Sequence, residues 1–225
     1  MTNGTKFSIG RTTRILVVDD HPLVRAGLAA QLADQQDLEI CGEAASADEA
    51  LVQVKATNPD LVIVDIQLLE SHGIDLIKDI HSRFPSTKML AVSAFDESIY
   101  AERALRAGAH GYINKRELQH NMIAAIRTVL DCQRYLSPKM TQQVVGQAIG
   151  GKDTMAGNPV ARLSNRELEV FQLIGQGHTT GAIARQLHLS VHTIESHREK
   201  IRHKLSIKNS VQLMQRAVQW MLENG

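Results

Sequence analysis

The chain has 225 residues and a formal net charge of +1 at pH 7, with 14 Lys and Arg against 18 Asp and Glu in residues 1–134 but 9 against 5 in residues 162–225. This length suits two modest domains, and an acidic half joined to a basic half is typical of a protein that meets nucleic acid, although a basic face can equally be solvated surface. The sequence has no apolar run of about 18 residues, so we expect a cytoplasmic protein with no membrane contact. Cys41 and Cys132 have neither metal-binding nor disulfide spacing, so we expect both thiols to be buried.

Five short apolar runs alternate with five helical patterns in the first half of the chain. The predicted strands cover residues 14–19, 38–42, 61–65, 88–93 and 111–113. The predicted helices cover residues 22–33, 47–55, 74–83, 98–107 and 118–131. Five repeated strand–helix units favour a doubly wound α/β fold, in which a five-stranded parallel sheet is covered by helices on both faces.

Polar residues stand at the ends of four of these strands. Asp19 and Asp20 end or follow the first strand, Asp65 ends the third, Ser93 ends the fourth, and Lys115 follows the fifth. Each of them alone has a plainer explanation as a helix cap, a turn residue or a solvated charge. Because ligands of such sheets bind beyond the carboxyl ends of the strands, the five residues together predict a site.

The residue types at this predicted site indicate phosphoryl chemistry. Three neighbouring carboxylates repel one another unless a cation neutralises them, and a hard ion such as Mg²⁺ binds one or two carboxylates together with waters and a phosphate. Asp19 and Asp20 can therefore hold the ion while Asp65 acts as a nucleophile toward phosphorus. In the resulting acyl phosphate, the Lys115 ammonium and the Ser93 hydroxyl would bind phosphoryl oxygens.

The same positions carry a family resemblance. The stretches DD at 19–20, VDIQL at 64–68, VSA at 92–94 and GYINK at 111–115 resemble the receiver domain of two-component response regulators, which has a flavodoxin-like fold. The resemblance implies that Asp65 accepts phosphate from a sensor histidine kinase.

Further roles follow from this resemblance alone. It implies that Tyr112 is an aromatic switch residue that reorients as Ser93 moves toward the phosphate. It also implies a Mg²⁺ site, formed by Asp19, Asp20, Asp65 and the backbone carbonyl of Gln67. Leu69 departs from the family pattern, which usually has Pro at this position, and it leaves the conformation of the loop open.

The chain changes character after the receiver-like part. The segment GGKDTMAGNP at 150–159 is typical of a linker, and a short helical stretch is predicted before it at 139–149. We expect four regions, which are a flexible tail at 1–13, a receiver domain at 14–134, a linker at 135–161 and a DNA-binding domain at 162–225.

The basic part is predicted to form four helices. Ser164 and Glu167 make a capping box for the first helix, which ends near Gly175. Thr179 or Thr180 caps a short second helix, and Ser190 caps the third, VHTIESHREKIRHKL. The second and third helices indicate a helix-turn-helix, with a plain helical bundle as the alternative.

This part resembles the LuxR-type helix-turn-helix of NarL/FixJ-type response regulators, through LSNRELEV, the G-x-T-T at 177–180, IARQLHLS and TIESHREKIRHKL. The resemblance implies an all-α domain of four helices that binds a double-stranded DNA operator. The expected DNA-binding residues are Thr180, Ser190, His192, Thr193, Glu195, Ser196, Arg198, Glu199, Lys200, Arg202 and Lys204.

Two features of the helical part leave alternatives open. Glu195 and Glu199 either accept hydrogen bonds from cytosine or pair with basic neighbours on the same helix. The fourth helix carries a stripe of Val211, Met214, Val218 and Met221. In the family that helix can pair two domains, so we expect a homodimer in the phosphorylated or DNA-bound state, but such a stripe can also be intramolecular core.

The function predicted from these features is that of a phosphorylation-controlled transcription regulator and not of an enzyme. One alternative is a DNA-binding regulator whose receiver is a phosphorylation-independent interaction module, to which Leu69 lends weight. Another is an aspartyl-phosphate enzyme of doubly wound fold. Against the enzyme stand the lack of G-x-G-x-x-G after the first strand and Gln67, where a D-x-D phosphatase has its second Asp.

Overall fold

The computed structural model of the protein describes residues 11–69, 71–94, 97–138, 140–142 and 159–224. The first half forms alternating strands and helices in the order β1 Thr13–Val18, α1 Pro22–Ala33, β2 Leu38–Ala44, α2 Ala47–Thr57, β3 Leu61–Asp65, α3 Gly73–Arg83, β4 Lys88–Ser93, α4 Glu97–Ala107, β5 Gly111–Asn114 and α5 Leu118–Leu130. All neighbouring strands are parallel, in the order β2-β1-β3-β4-β5. The predicted doubly wound fold is confirmed.

Each central strand contributes to two cores because both faces of the sheet are covered. In β1, Leu16 and Val18 belong to the cluster on one face, whereas Ile15 and Val17 belong to the cluster on the other. A strand buried on both sides has no polar alternation, which explains the uninterrupted apolar runs in the sequence. The rigid sheet brings the carboxyl ends of β1, β3 and β4 to one edge.

The helical part consists of four helices that follow a short 3₁₀ turn at Pro159–Arg162. They are α6 Asn165–Gly175, α7 Thr180–Gln186, α8 Val191–Leu205 and α9 Ser210–Asn224. The predicted capping box is present, since Ser164 accepts from the Glu167 amide and Glu167 accepts from the Ser164 amide. The ring of Trp220 on α9 lies 5.8 Å from that of Phe171 on α6, so the first and last helices share one core.

The chain between the two parts begins as an extension of the receiver sheet. The Tyr112 amide donates to the Tyr135 carbonyl at 2.9 Å, and the Tyr135 amide donates to the His110 carbonyl at 3.2 Å. Met140 is buried in the receiver core. The described start of the predicted linker is therefore packed, while most of the helical stretch predicted at 139–149 and the segment 143–158 lie outside the described residues.

Two differences from the predictions concern the surface. Cys132 is exposed and Cys41 is half-buried, so the expected burial of both thiols is wrong. Cys132 lies just beyond α5, in a turn where its φ is 60°. The predicted tail at 1–13 includes Thr13, which begins β1, and Arg11, which pairs with Asp60 at 3.1 Å, whereas residues 1–10 lie outside the described part.

None of the helices in the described ranges is long and apolar enough to cross a bilayer.

Gly73, at the start of α3, lies directly against the end of β3. A Cβ atom on Gly73 would lie 1.9 Å from the Asp65 carbonyl oxygen, a distance that real contacts do not reach. The Gly73 amide also donates to the Ile66 carbonyl at 2.8 Å, so the loop cannot move away without losing this hydrogen bond.

We therefore expect Gly73→Ala to lower the free energy of unfolding by about 1–3 kcal/mol, the typical cost of overpacking a tight site. The matched control is Gly27→Ala on α1, because a Cβ there meets nothing within 4 Å. A glycine inside an exposed helix lowers stability relative to alanine, so the control should gain roughly 0.5–1 kcal/mol. Urea unfolding of the two variants measures both; equal stabilities would contradict the close approach.

Candidate functional site

The carboxyl ends of β1, β3 and β5 place two carboxylates around one ammonium group. Lys115 Nζ lies 2.7 Å from Asp19 Oδ2 and 2.7 Å from Asp65 Oδ2. Both aspartates are buried, with 2 % and 1 % of their surface exposed. One cation thus neutralises two buried carboxylates, from residues that lie 96 and 50 positions before Lys115 in the sequence.

Backbone amides hold the remaining carboxylate oxygens in place. Asp65 Oδ1 accepts from the Gln67 amide at 3.2 Å, and Asp19 Oδ1 accepts from the His21 amide at 2.8 Å. Each carboxylate is therefore oriented by a turn of its own loop on one side and by Lys115 on the other.

Asp65 has an unusual affinity for protons. Burial raises its pKa from 3.8 to about 7, because the charged form is poorly solvated, and Asp19 adds to the rise while Lys115 opposes it. At neutral pH Asp65 is therefore only partly ionised, unless a further positive charge nearby lowers its pKa. A second cation at this edge would favour the ionised form of Asp65.

The donor set fits a small divalent cation. Ligand atoms of Asp19, Asp20, His21 and Asp65 all lie within 4.8 Å of one another. Asp20 Oδ1 is buried and accepts no hydrogen bond among the described residues, although His21 Nδ1 lies 2.7 Å from it. Carboxylate oxygens suit Mg²⁺ better than imidazole does, so the three aspartates carry the fit. The sequence-based reasoning overlooked His21 beside them, and only its adjacency to the Asp pair could have indicated it.

Ser93 and Tyr112 are both fully buried beside this edge, with 0 % and 1 % exposure. Asp65 pairs with Val92 in the sheet, so Ser93 lies one residue further along β4, toward the carboxylates. Tyr112 pairs with Ala91 on the other side of β4. The register of the strands, and not closeness in the sequence, therefore brings both side chains near the acidic edge.

The loop after Asp65 is closed by hydrogen bonds instead of by a proline. The Ser71 amide donates to the Leu69 carbonyl at 2.7 Å, and Gln67 bridges His72 in antiparallel fashion. The His72 side chain accepts from the Ile74 amide and caps α3. A defined turn is thus formed with Leu69 in the position where the family pattern has Pro.

The helix-turn-helix of the second part is formed by α7 and α8. Thr179 accepts from the Ala182 amide at 3.2 Å and begins α7, while Ser190 accepts from the Thr193 amide at 3.0 Å and begins α8. His188 has a φ of 52°, which makes the sharp turn between them. Ile194 and Ile201 anchor α8 in the core, so its opposite face is turned outward.

Most of the predicted DNA-binding residues lie on this outward face. The exposed ones are Ser190, His192, Glu195, Ser196, Glu199 and Lys200. The half-buried ones are Thr180, Thr193, Arg198, Arg202 and Lys204. The Lys204 ammonium binds the carboxylate of Glu167 at 2.6 Å, so this lysine fixes α8 to α6.

Both glutamates of α8 have partners in the free protein. Glu195 accepts from the Thr180 hydroxyl at 2.9 Å and lies 3.7 Å from Arg198. Glu199 pairs with Arg202. These contacts match the alternative in which the glutamates neutralise neighbouring basic residues, and a base contact would have to replace them.

The stripe on α9 is largely a surface feature. Val211, Met214 and Val218 are exposed by 64 %, 51 % and 39 %. The core side of the helix is instead formed by Leu213, Ala217 and Trp220, which are buried. The exposed apolar face is available for a partner.

Two protein families match this chain. Residues 15–127 match the family described as "Response regulator receiver domain", and residues 161–217 match "Bacterial regulatory proteins, luxR family". Among curated proteins, the chain is 36 % identical over 209 residues to the oxygen regulatory protein NreC of Staphylococcus carnosus, covering 91 % of this chain and 96 % of NreC. It is 35 % identical over 205 residues to the response regulator GacA of Pseudomonas protegens, covering 91 % and 95 %.

Two solved structures are also similar to this chain. A two-component response regulator of the LuxR family from Aurantimonas is 31 % identical, with a TM-score of 0.57 over 61 % of this chain and 99 % of that one. RcsB from Salmonella typhimurium, at 21 % identity, has a TM-score of 0.63 over 93 % of this chain and 98 % of its own, which shows a shared fold. The chain therefore belongs to the NarL/FixJ-type response regulators, in which a receiver domain is joined to a LuxR-type DNA-binding domain.

Proposed function

We propose that the protein is a phosphorylation-controlled transcription regulator in which Asp65 accepts a phosphoryl group from a sensor histidine kinase. The observation that carries this proposal is the buried group of Asp19, Asp65 and Lys115, with the carboxylate of Asp20 beside it. A buried nucleophile beside a fixed cation is what phosphoryl transfer requires, because catalysis there consists of positioning and charge stabilisation. Such a protein acts in the cytoplasm, where its DNA target lies.

In the proposed reaction, a carboxylate oxygen of Asp65 attacks the phosphorus of a kinase phosphohistidine. The oxygen–phosphorus bond forms as the nitrogen–phosphorus bond breaks, and the imidazole leaves. Lys115 exchanges one carboxylate contact for a phosphoryl oxygen, and the Ser93 hydroxyl donates to another. A bound Mg²⁺, held by Asp19, Asp20, Asp65 and the Gln67 carbonyl, would supply positive charge at the phosphoryl oxygens.

The proposed switch lies between Ser93 and Tyr112. Moving the Ser93 side chain toward a phosphate vacates buried volume, and a packed interior does not tolerate a void. Tyr112, which is buried on the neighbouring strand, is the side chain placed to fill it. This assignment rests on the family resemblance together with the burial of both residues.

The output in this proposal is binding of an operator by α8. Exposed polar residues line its N-terminal half, and the positive end of the helix favours a backbone phosphate. Two of the solved RcsB structures are described as bound to promoter DNA in the presence of a phosphomimetic, and another as two dimers on two DNAs. We propose the same kind of use here, with the exposed stripe of Val211, Met214 and Val218 pairing two copies.

We also propose the domain division predicted from the sequence, with a tail at 1–13, a receiver at 14–134, a linker at 135–161 and a DNA-binding domain at 162–225. The family matches at 15–127 and 161–217 support these limits.

Replacing the nucleophile tests the phosphoacceptor. Asp65→Asn is nearly isosteric and removes the charged oxygen that attacks phosphorus, so labelling by phosphoramidate with Mg²⁺ should fall to the uncatalysed background. Asp79→Asn on the exposed side of α3 is the matched control and should label like the unaltered protein. Labelling of Asp65→Asn at the unaltered rate would place the phosphoacceptor elsewhere.

Metal binding is tested through thermal stability. A ligand that binds only the folded state at 100 times its Kd stabilises it by about 2.7 kcal/mol, so Mg²⁺ should raise the melting temperature of the unaltered protein. Asp19→Asn and Asp20→Asn each weaken an oxygen ligand and should lose most of this rise at the same Mg²⁺ concentration. Asp48→Asn, on the exposed first turn of α2, should keep it. An equal rise in all four proteins would contradict the metal assignment.

Operator specificity tests Glu195. Its carboxylate repels DNA phosphates but can accept from the amino group of cytosine. Glu195→Gln should therefore bind scrambled duplex more tightly and discriminate less, with a loss of specificity of roughly 1–3 kcal/mol if a base contact disappears.

The measurement is paired titration, at one fixed salt concentration, of an operator selected from a random duplex library and a scrambled version of it. Glu223→Gln on α9 serves as the control for the loss of one negative charge in the same domain. If Glu195→Gln raises the affinity for both duplexes equally, the Glu195 carboxylate only repels DNA in general and does not read its sequence. Its contacts with Thr180 and Arg198 would then be its structural role.

A further inference from the structure

Arg25 on α1 touches the loop that carries the first two carboxylates of the acidic edge. Its Nη1 donates to the Asp19 carbonyl at 2.7 Å, and its Nε donates to Glu43 Oε2 on β2 at 2.8 Å. The Arg25 side chain is only 18 % exposed, so it lies mostly covered between α1 and the sheet. Neither Arg25 nor Glu43 belongs to the proposed phosphorylation site itself.

The carbonyl that Arg25 binds belongs to the peptide group between Asp19 and Asp20. Because a peptide group is planar and rigid, holding its oxygen fixes the direction in which the chain leaves Asp19 and enters Asp20. On the other side, the Asp19 amide donates to the Ala44 carbonyl of β2 at 3.1 Å. The backbone is thus held on both sides of Asp19, and the hydrogen bond from Arg25 sets the placement of Asp20.

The two carboxylates differ in how their own oxygens are supported. Asp19 accepts from the Lys115 ammonium and from the His21 amide. The Asp20 carboxylate contacts the His21 imidazole at 2.7 Å, and that side chain is 66 % exposed. A ring that is largely in solvent gives a carboxylate little orientation. The position of the Asp20 oxygens therefore depends mainly on the backbone that Arg25 holds.

A β-bulge in β2 turns Glu43 toward Arg25. The pairing of β1 with β2 skips Cys41. Cys41 packs against the hydrophobic cluster on one face of the sheet, whereas Glu43 pairs with Val17, which belongs to the cluster on the face covered by α1. Residues two apart on a regular strand point to the same face, so the extra residue is what directs Glu43 to α1.

The contact between Arg25 and Glu43 would have little value as an ion pair alone. Glu43 is 45 % exposed, and exposed pairs contribute little to stability. The guanidinium fork is rigid, however, so a carboxylate that binds its Nε also fixes the direction of its Nη1. Glu43 thereby directs the second donor of Arg25 at the Asp19 carbonyl.

We propose that Arg25 is a positioning residue for the divalent-ion site, which acts by holding the peptide group between Asp19 and Asp20, and that Glu43 orients Arg25 for this task. The proposal rests on the proposed function, in which these two aspartates bind Mg²⁺. Removing a group that orients a metal ligand typically costs about 10- to 100-fold in metal affinity. Arg25 acts through the aspartates, so its loss weakens ion binding and leaves the transfer step at saturating Mg²⁺ unchanged.

Arg25→Met in the full chain keeps most of the side-chain stem and removes both donors. The Mg²⁺ concentration that gives half of the maximal rise in melting temperature should increase about tenfold, the lower end of that range. With phosphoramidate as the donor, the half-saturating Mg²⁺ concentration for labelling should increase by the same factor, while the maximal labelling rate should equal that of the unaltered protein.

The direction of this change distinguishes positioning from a simple charge effect. Loss of a positive charge near the acidic edge would by itself strengthen the binding of a cation, because like charges repel. Loss of positioning weakens it. A higher Mg²⁺ midpoint in Arg25→Met is therefore opposite to what the charge change alone produces.

Arg127→Met is the matched control. Arg127 on α5 donates to Gln35 and pairs with Asp37, in the loop that precedes β2 at the opposite end of the sheet. The variant loses an arginine with a carboxylate partner but leaves the loop after β1 intact. Its Mg²⁺ midpoint should equal that of the unaltered protein.

Glu43→Met tests the orienting role with Arg25 left in place. It should raise the Mg²⁺ midpoint by a smaller factor than Arg25→Met does. Because Glu43 acts through Arg25, the double variant should show no larger shift than Arg25→Met alone, as expected for residues of one network. Shifts that add in the double variant would overturn the orienting role of Glu43.

The outcomes separate this proposal from the function on which it rests. If the unaltered protein binds Mg²⁺ and is labelled, an unchanged or lower Mg²⁺ midpoint in Arg25→Met overturns the positioning role and leaves the acidic site standing. An equal rise of the midpoint in Arg127→Met, or a lower maximal labelling rate of Arg25→Met with an unchanged midpoint, overturns it as well. If Mg²⁺ stabilises none of these proteins and none is labelled, the proposed function fails and the positioning role fails with it.

Discussion

The shared ammonium of Lys115 is the interaction on which the candidate site depends. Asp19 and Asp65 are almost completely buried, and two unneutralised carboxylates in such a place would be driven to take up protons. With Lys115 at 2.7 Å from both, the pair can stay at the sheet edge in an ordered geometry. The parallel sheet brings these residues together, because it places the carboxyl ends of β1, β3 and β5 at the same edge. The charge balance of the site therefore requires the whole doubly wound fold.

Gln67 extends this electrostatic arrangement to the second domain. Its position two residues after Asp65 lets its backbone orient the carboxylate while its side chain reaches Glu169. A single residue therefore contacts both the acidic edge and α6. Tyr100 provides a second contact of this kind on α4. The acidic edge and α6 are thus joined by hydrogen bonds through one residue.

The sequence contains most of what defines each domain and little of what joins the two domains. The apolar runs predicted all five strands because a strand buried on both faces has a distinctive composition, and the capping box predicted the start of α6 from Ser164 and Glu167. The contact between Tyr100 and Gln172 has no such signal, since it joins residues 72 positions apart on helices whose own periodicity is satisfied within each domain. For the same reason nothing in the sequence indicated that Glu169 would be buried against Gln67.

The residue that closes the receiver sheet, Tyr135, has a consequence for how the protein meets other chains. An open sheet has two edge strands with unpaired amides and carbonyls, which are templates for unwanted pairing with a neighbouring chain. The backbone of Tyr135 occupies the edge of β5, while exposed charges at Glu39 and Glu43 lie along β2 at the opposite edge. Strand addition and the aggregation that it starts are thereby discouraged at both ends. Any contact between two receivers is then left to the helical surfaces, which can separate again without breaking a continuous sheet.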